Sequence, residues 1–281
     1  MKQEYSLAHL TMLGCAPPEI IHIAARAGYD YVSLRPVSMR LPGEPIYSLA
    51  DNKTLLRETR AALAATGMRV HDIELMRIYD ALDVRSYEAE IAIGAELGAS
   101  AMICSIWTDD RNCYIEKFAE LCDLARPYGL SVDLEFVCLS SAKNLAGAVD
   151  VLRSVNRENS GLMIDMLHFQ FSGDKPADLD GLPDEWFNFA HINDAPSILP
   201  QEREPLVKIV REARLYLGEG GIDVAGILSH MPQTVYSIEL PNAARVKQYG
   251  YAEHAFRCLE TTRAYLAAHP ESRTRALKAA A

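Results

Sequence analysis

The chain lacks a CxxC pair, and its six cysteines (Cys15, Cys104, Cys113, Cys122, Cys138, Cys258) follow no framework spacing. That excludes a zinc ribbon and a disulfide-stapled scaffold. Cys104 and Cys138 lie inside apolar runs and read as small core residues, so reduced thiols and a cytoplasmic location are expected. No basic excess is present either: 28 Lys and Arg face 38 Asp and Glu, for a net charge of −10. Phosphate backbones need a cationic surface, so no nucleic-acid partner is expected. No apolar run approaches the roughly 20 residues that span a bilayer, and MKQEYSLAHL has no signal-like apolar stretch, so no membrane partner is expected. No GxGxxG follows the first strand-like run, which removes the main reason to expect a dinucleotide fold.

What is present is the balance of a globular domain: 281 residues, 49% hydrophobic and 23% charged. A repeated phrase organises it, in which a helical segment ends at a glycine and a short β-branched run follows. RAGYDYVSLR, ATGMRVHDIEL, ELGASAMICSI and PYGLSVDLEFV are its clearest copies. Gly28, Gly67, Gly98 and Gly129 stand where a helix C-cap requires a left-handed backbone, which a Cβ would oppose. Strands are predicted near 5–10, 29–35, 68–75, 100–105, 130–137, 160–165, 187–192 and 233–239. Helical segments such as PPEIIHIAARAG and NKTLLRETRAALAATG lie between them. Eight buried strands alternating with helices predict an α/β fold, a single-domain (β/α)₈ TIM barrel over residues 1–270, with a polar tail at 271–281.

Three stretches interrupt the phrasing. Residues 36–50 are proline-rich, residues 166–186 are irregular, and residues 194–221 form the longest insertion. Each follows a strand, so each is expected on the catalytic face, where the carboxyl ends of barrel strands emerge.

The last four strands carry the chemistry. SVDLEFV ends with Glu135 near its tip, GLMID with Asp165, NFAHIND brings His191, and YSIELPN brings Glu239. Each could serve alone as a salt-bridged or core residue. Four at the same end of consecutive strands require compensation of buried charge, and one divalent metal ion supplies it. Three carboxylates and an imidazole suit Mn²⁺ first, then Mg²⁺ or Co²⁺, with Zn²⁺ as a further option. His168, three residues beyond Asp165, is expected on the following loop, within reach of substrate oxygens.

These motifs, with the DxxH of Asp165 and His168, HIND, SIELPN and REARLYLGEGGID, resemble the xylose-isomerase-like barrels. That family is also called sugar phosphate isomerases/epimerases and includes relatives of D-tagatose 3-epimerase, hydroxypyruvate isomerase and inosose dehydratase. The resemblance covers nearly the whole chain. It implies that Glu135, Asp165, His191 and Glu239 hold the metal, and that Glu135 and Glu239 also act as an acid/base pair. It implies that His168 contacts substrate. The activity implied is isomerisation or epimerisation of a small polyol or keto-sugar through a metal-stabilised enediolate, with lyase chemistry from the same intermediate as the alternative. The family's 3-dehydroshikimate dehydratases carry a histidine two residues past the strand-five glutamate. Val137 stands there, which speaks against that particular reaction. The DNA-repair endonucleases of this barrel need more histidines and a basic face.

Further substrate contacts are expected from Arg35, Glu74 and Trp107 at the ends of strands two to four, and from Arg203 and Arg214 on the long insertion. Arg35 and Glu74 could equally pair with each other. LGEGGID could have opened a phosphate site, but Glu219 and Asp223 oppose an anion, and a tight turn is expected. A homo-oligomer is compatible with all of this.

Overall fold

The computed structural model describes residues 2–39 and 44–272. Eight parallel strands close into a barrel in chain order. They are β1 (Tyr5–Leu7), β2 (Tyr31–Leu34), β3 (Arg69–Ile78), β4 (Ala101–Ile106), β5 (Ser131–Glu135), β6 (Ser160–Asp165), β7 (Phe189–Ile192) and β8 (Val235–Ile238). The helices are α1 (Pro17–Ala27), α2 (Lys53–Thr66), α3 (Glu88–Glu96), α4 (Arg111–Ala125), α5 (Leu145–Val155), α6 (Met166–Ser172), α7 (Arg203–Glu212), α8 (Val224–Ser229), α9 (Ala243–Tyr249) and α10 (Tyr251–Ala268). β1 pairs with β8 at Tyr5–Tyr236, which seals the barrel and leaves no edge strand.

Local chemistry explains the punctuation. Asn52, Asp110 and Asn144 cap α2, α4 and α5 by accepting backbone N–H groups with their side chains. The four predicted glycines all have positive φ, between 70° and 92°. Two apolar zones result. The larger lies between barrel and helices, where Ile73, Phe118, Leu134 and Leu228 are buried. A smaller one fills the barrel itself, from Leu75, Ala101, Ile103, Met163 and Phe189.

Three local expectations are corrected. Glu74 does not end its strand: β3 continues to Ile78, with a register shift between Ile73 and Met76. A bulge of that kind re-aims a side chain without ending the strand. The stretch 166–186 is not irregular throughout, because α6 starts directly after β6, with Asp165 as its N-cap. The stretch 194–221 contains α7, is closed on itself by the bridge Asp194–Leu215 and is tied to the rest by the bridge Ala213–Asn242. Of the anticipated tail, Glu271 and Ser272 form the end of a short 3-10 turn, and 273–281 lie outside the described residues. Among the described residues, no helix is long and apolar enough to cross a membrane.

Candidate metal centre and substrate cavity

Strand register brings the four side chains together. Asp165 lies opposite His191 and His191 opposite Ser237, two residues short of Glu239. Glu135 lies opposite Met163, two residues short of Asp165. With a side-chain period of 2, the same parity sends Glu135, Asp165, His191 and Glu239 inward at one level of the barrel. Each offers a ligand atom, and these atoms all lie within 4.8 Å of one another. His191 Nδ1 is 3.4 Å from Glu239 Oε2, and 3.8 Å from both Glu135 Oε1 and Asp165 Oδ2. These separations exceed hydrogen bonds. They match donors about 2.1 Å from a common centre.

The donor set fits a divalent ion on two further grounds. Both ring nitrogens of His191 are buried without a hydrogen-bond partner. A buried imidazole in that state carries a desolvation cost that a metal bond would remove. The surroundings also orient the ligands as outer partners of a metal site do. Asp165 accepts bonds from Arg214 Nη1 (2.6 Å) and Asn193 Nδ2 (3.0 Å) at Oδ2 and from the His168 amide (3.1 Å) at Oδ1, which fix the carboxylate's orientation. Arg214 Nη1 also lies 2.9 Å from Glu239 Oε2, and its Nε donates to the Val210 carbonyl at 2.9 Å.

The electrostatics are those of crowded buried charge. Burial pushes the Glu135 carboxyl up to about 7, with His191 pulling the other way. Glu239 suffers the same burial, but His191 and Arg214 outweigh it and hold its carboxyl well below the usual range. Burial opposes a proton on His191 as well, yet Glu239 and Glu135 raise it above an ordinary histidine. For His168 burial outweighs the pull of Asp165 and Glu239 and lowers it to about 4, so its ring is neutral near pH 7.

A cavity of about 60 Å³ opens above the four ligands, and a larger cleft of about 730 Å³ lies outside it. Glu135, Glu239 and His168 line the inner cavity together with Arg35, Glu74 and Trp107. His168 reaches it from the first turn of α6 rather than from a loop, and its Nδ1 is buried without a partner. Trp107 is held by its Nε1 donating to Ser105 Oγ at 2.8 Å. Arg35 and Glu74 do pair, Nη2 to Oε2 at 3.0 Å, and both still face the cavity. Arg35 is set in place through His9. The His9 Nδ1 accepts the Arg35 amide (2.9 Å), and its Nε2 meets the Cys15 carbonyl (3.0 Å), so the ring carries its proton on Nε2.

The two insertion arginines take different places from those expected. Arg214 is almost wholly buried and grips two of the four ligands, although one side of it borders the cavity. Arg203 is exposed at the start of α7 and lines neither the cavity nor the cleft, because the helix begins on the solvent side. Val137 and Leu139 do line the cavity, while Phe136 turns away to pack against Phe169. The glycine turn 218–221 binds an internal anion. Asp194 accepts the amides of Gly218, Gly220 and Ile222 at 2.9 to 3.1 Å, so these donors are already used. Sequence reading missed Asn193, Asp194 and Arg211. Arg211 lines both the inner cavity and the outer cleft. Its signal was the helical spacing of Val207, Val210 and Arg211, which puts them on one face of α7.

A closed eight-stranded barrel with this constellation at the carboxyl ends of its strands defines a class of enzymes. A family model for the xylose isomerase-like TIM barrel matches residues 21–262, and the chain belongs to that family. An inosose isomerase of Bacillus velezensis is 24% identical over 78% of this chain and 81% of its own length. The inosose isomerase of Bacillus licheniformis is 32% identical, but the match spans 46% of this chain and less than half, 45%, of that protein. A 3-dehydroshikimate dehydratase of Pseudomonas aeruginosa is 23% identical over 82% of this chain and 36% of its length. Among solved structures, the IOLI protein with a bound zinc atom superposes with a TM-score of 0.76 over 95% of this chain and 99% of that one, at 19% identity. D-allulose 3-epimerase of Methylomonas sp., in complex with D-allulose, gives 0.69 over 94% and 97%, also at 19% identity. Its relatives thus include isomerases, epimerases and dehydratases.

Proposed function

We propose that this chain is a divalent-metal-dependent isomerase or epimerase of a sugar or sugar-like hydroxy-carbonyl compound. The observation that carries this reading is the convergence of four buried ligands, with an unpartnered imidazole among them, beneath a small cavity. Three oxygen donors and one nitrogen favour Mn²⁺. When bound, such an ion polarises a carbonyl and its neighbouring hydroxyl and so acidifies the C–H between them.

The chain supplies the rest. Glu135, which lines the inner cavity, is placed to accept a carbon-bound proton from a substrate held there. Glu239 approaches from the other side of the cluster and returns a proton to the opposite face or the adjacent carbon. His168, neutral and with a free Nδ1, hydrogen-bonds a substrate oxygen. Glu74 and Trp107 orient the remaining hydroxyls. Elimination from the same substrate is the second reading, favoured by the similarity to a dehydratase over most of the chain. Val137 removes a polar group from the wall where that reaction would use one.

The test is a panel of inososes, ketohexoses and keto-aldonic acids incubated in D₂O with Mn²⁺-loaded protein. Deuterium is expected at a carbon beside the carbonyl, without new conjugated absorbance. Conjugated absorbance would establish the lyase instead, and no incorporation from any member would refute proton abstraction. His168→Ala should keep its metal and lose most of its exchange.

A further inference from the structure

Arg211 occupies a position that its charge alone does not explain. It projects from the last turn of α7 and borders both the inner cavity and the outer cleft. It is half-buried, and among the described residues its guanidinium makes no hydrogen bond or ion pair. Its neighbours are cations. Burial first, then Arg77 and Arg35, push its guanidinium below the ordinary arginine range; Glu44 opposes this and Arg203 adds to it. Arg35, in the same cavity wall, is 4% exposed, and its Nε and Nη1 have no hydrogen-bond partner; Nη1 is 3.6 Å from Glu44 Oε1. A protein of net charge −10 has therefore gathered arginines at the mouth of its cavity and left donors there unused. Like charges held together at a cost of this kind are relieved by an anion.

We propose that Arg211, with the Nε of Arg35 beside it, forms a carboxylate-binding subsite, so that the substrate is an acidic hydroxy-carbonyl compound rather than a neutral sugar. This rests on reading the cavity as the substrate site. The hydroxy-carbonyl end lies toward Glu135 and Glu239, and the carboxylate lies toward α7. A planar carboxylate meets a guanidinium edge in two parallel bonds. A phosphate dianion would bring twice the charge toward Glu44 and Glu74, both of which already attend Arg35. The arginines also steer an anionic substrate into the cleft, more strongly at low salt.

The test is calorimetric titration of the full-length, Mn²⁺-loaded protein with three unreactive six-carbon ligands: glucitol, gluconate and glucitol 6-phosphate. Gluconate is expected to bind at least about tenfold more tightly than glucitol, or about 1.4 kcal/mol. In Arg211→Gln the two should approach parity through weaker gluconate binding, with glucitol unchanged, and Arg211→Lys should restore part of the preference. The same preference should persist without metal, which separates arginine binding from chelation by the carboxylate. Equal affinities in the wild type, a preference that survives Arg211→Gln, or tighter binding of the phosphate ester would each overturn the proposal. Deuterium exchange is a separate readout. If no keto compound exchanges while the Arg211-dependent preference holds, the catalytic reading fails and the subsite stands.

Discussion

The two ends of the barrel interior both bury carboxylates, and they treat them differently. At the amino-terminal end, Asp72 accepts Ser33 Oγ at 2.6 Å and lies 3.1 Å from His71 Nδ1. Asp133 accepts Asn188 Nδ2 at 2.7 Å and Ser131 Oγ at 2.6 Å. At the carboxyl-terminal end, His191 has no hydrogen bond and three carboxylates surround it at more than hydrogen-bond distance. The ring of Phe189 lies between them, 4.9 Å from His71 on one side and 5.8 Å from His191 on the other. A cavity of about 370 Å³ even opens at the amino-terminal end, larger than the one above the ligands. Buried charge and cavity size therefore do not identify the reactive end. Incomplete pairing does, because an unsatisfied buried donor set is costly unless something is meant to bind it.

The largest effect that would test this contrast comes from the ligands themselves. Glu239→Gln and His191→Ala should each lower metal affinity by more than about 100-fold with the fold retained, since even outer partners of a metal site are worth 10–100-fold. Metal content by mass spectrometry and circular dichroism check this, and full occupancy in both variants would remove the assignment. Arg214→Met comes next. It should cost about 10–100-fold in affinity. It should also destabilise the metal-free protein by about 3–5 kcal/mol, because Asp165 and Glu239 lose a buried counter-charge. Added Mn²⁺ should recover much of that loss in a thermal melt.

The pH dependence of metal binding is a smaller effect with a definite sign. Without metal, the Glu135 carboxyl is pushed up to about 7, and His191 is shifted toward its protonated form. Both protons must leave before the ligands can bind. Affinity should therefore fall by about tenfold or more between pH 8 and pH 6, measured by competition with a chelator. A flat profile would contradict a buried carboxylate ligand.

The amino-terminal end should respond in stability alone. A Cβ on Gly161 would collide with Asp133 Oδ1, so Gly161→Ala should cost about 1–3 kcal/mol by overpacking while leaving metal affinity unchanged. Burial raises the Asp133 carboxyl to about 6. A raised acid holds its proton more firmly when folded, so its contribution to stability is present below about pH 4 and is lost as pH rises through 6. Asp133→Asn should therefore gain on the wild type by on the order of 2 kcal/mol between pH 4 and pH 7. Denaturant titration at the two pH values reads this out, and a constant difference would mean that Asp133 is already ionised. Arg203→Ala is the smallest case. Exposed and outside the cavity, it should change stability by less than about 0.5 kcal/mol.

Only the carboxyl-terminal side of this contrast was legible in advance. The four converging side chains could be read because each stands at the tip of a short apolar run, where a charged group is conspicuous. His168 was visible as a candidate, but its helix was not, since Asp165 both closes β6 and caps α6 and so leaves no loop residues between them. Glu74 was placed at a strand end because the apolar alternation falters at the β3 bulge. The insertion arginines were the weakest part. Arg203, Arg211 and Arg214 share one polar segment, and nothing local says which is exposed, which borders the cavity and which is buried.

The sequence by itself determined the barrel, its capping glycines and the identity of the four converging side chains. Those depend on period-2 and helical patterning and on left-handed backbone at single residues, all of which are local. Only the tertiary structure decided what each polar group is paired with. It put Arg214 against Asp165 and Glu239, closed the glycine turn around Asp194, completed the bonding of Asp72 and Asp133, and left His191 without a hydrogen-bond partner among the described residues. Pairing is made across strands and insertions far apart in the chain, by barrel closure and stagger, and that long-range register is not written in any one segment.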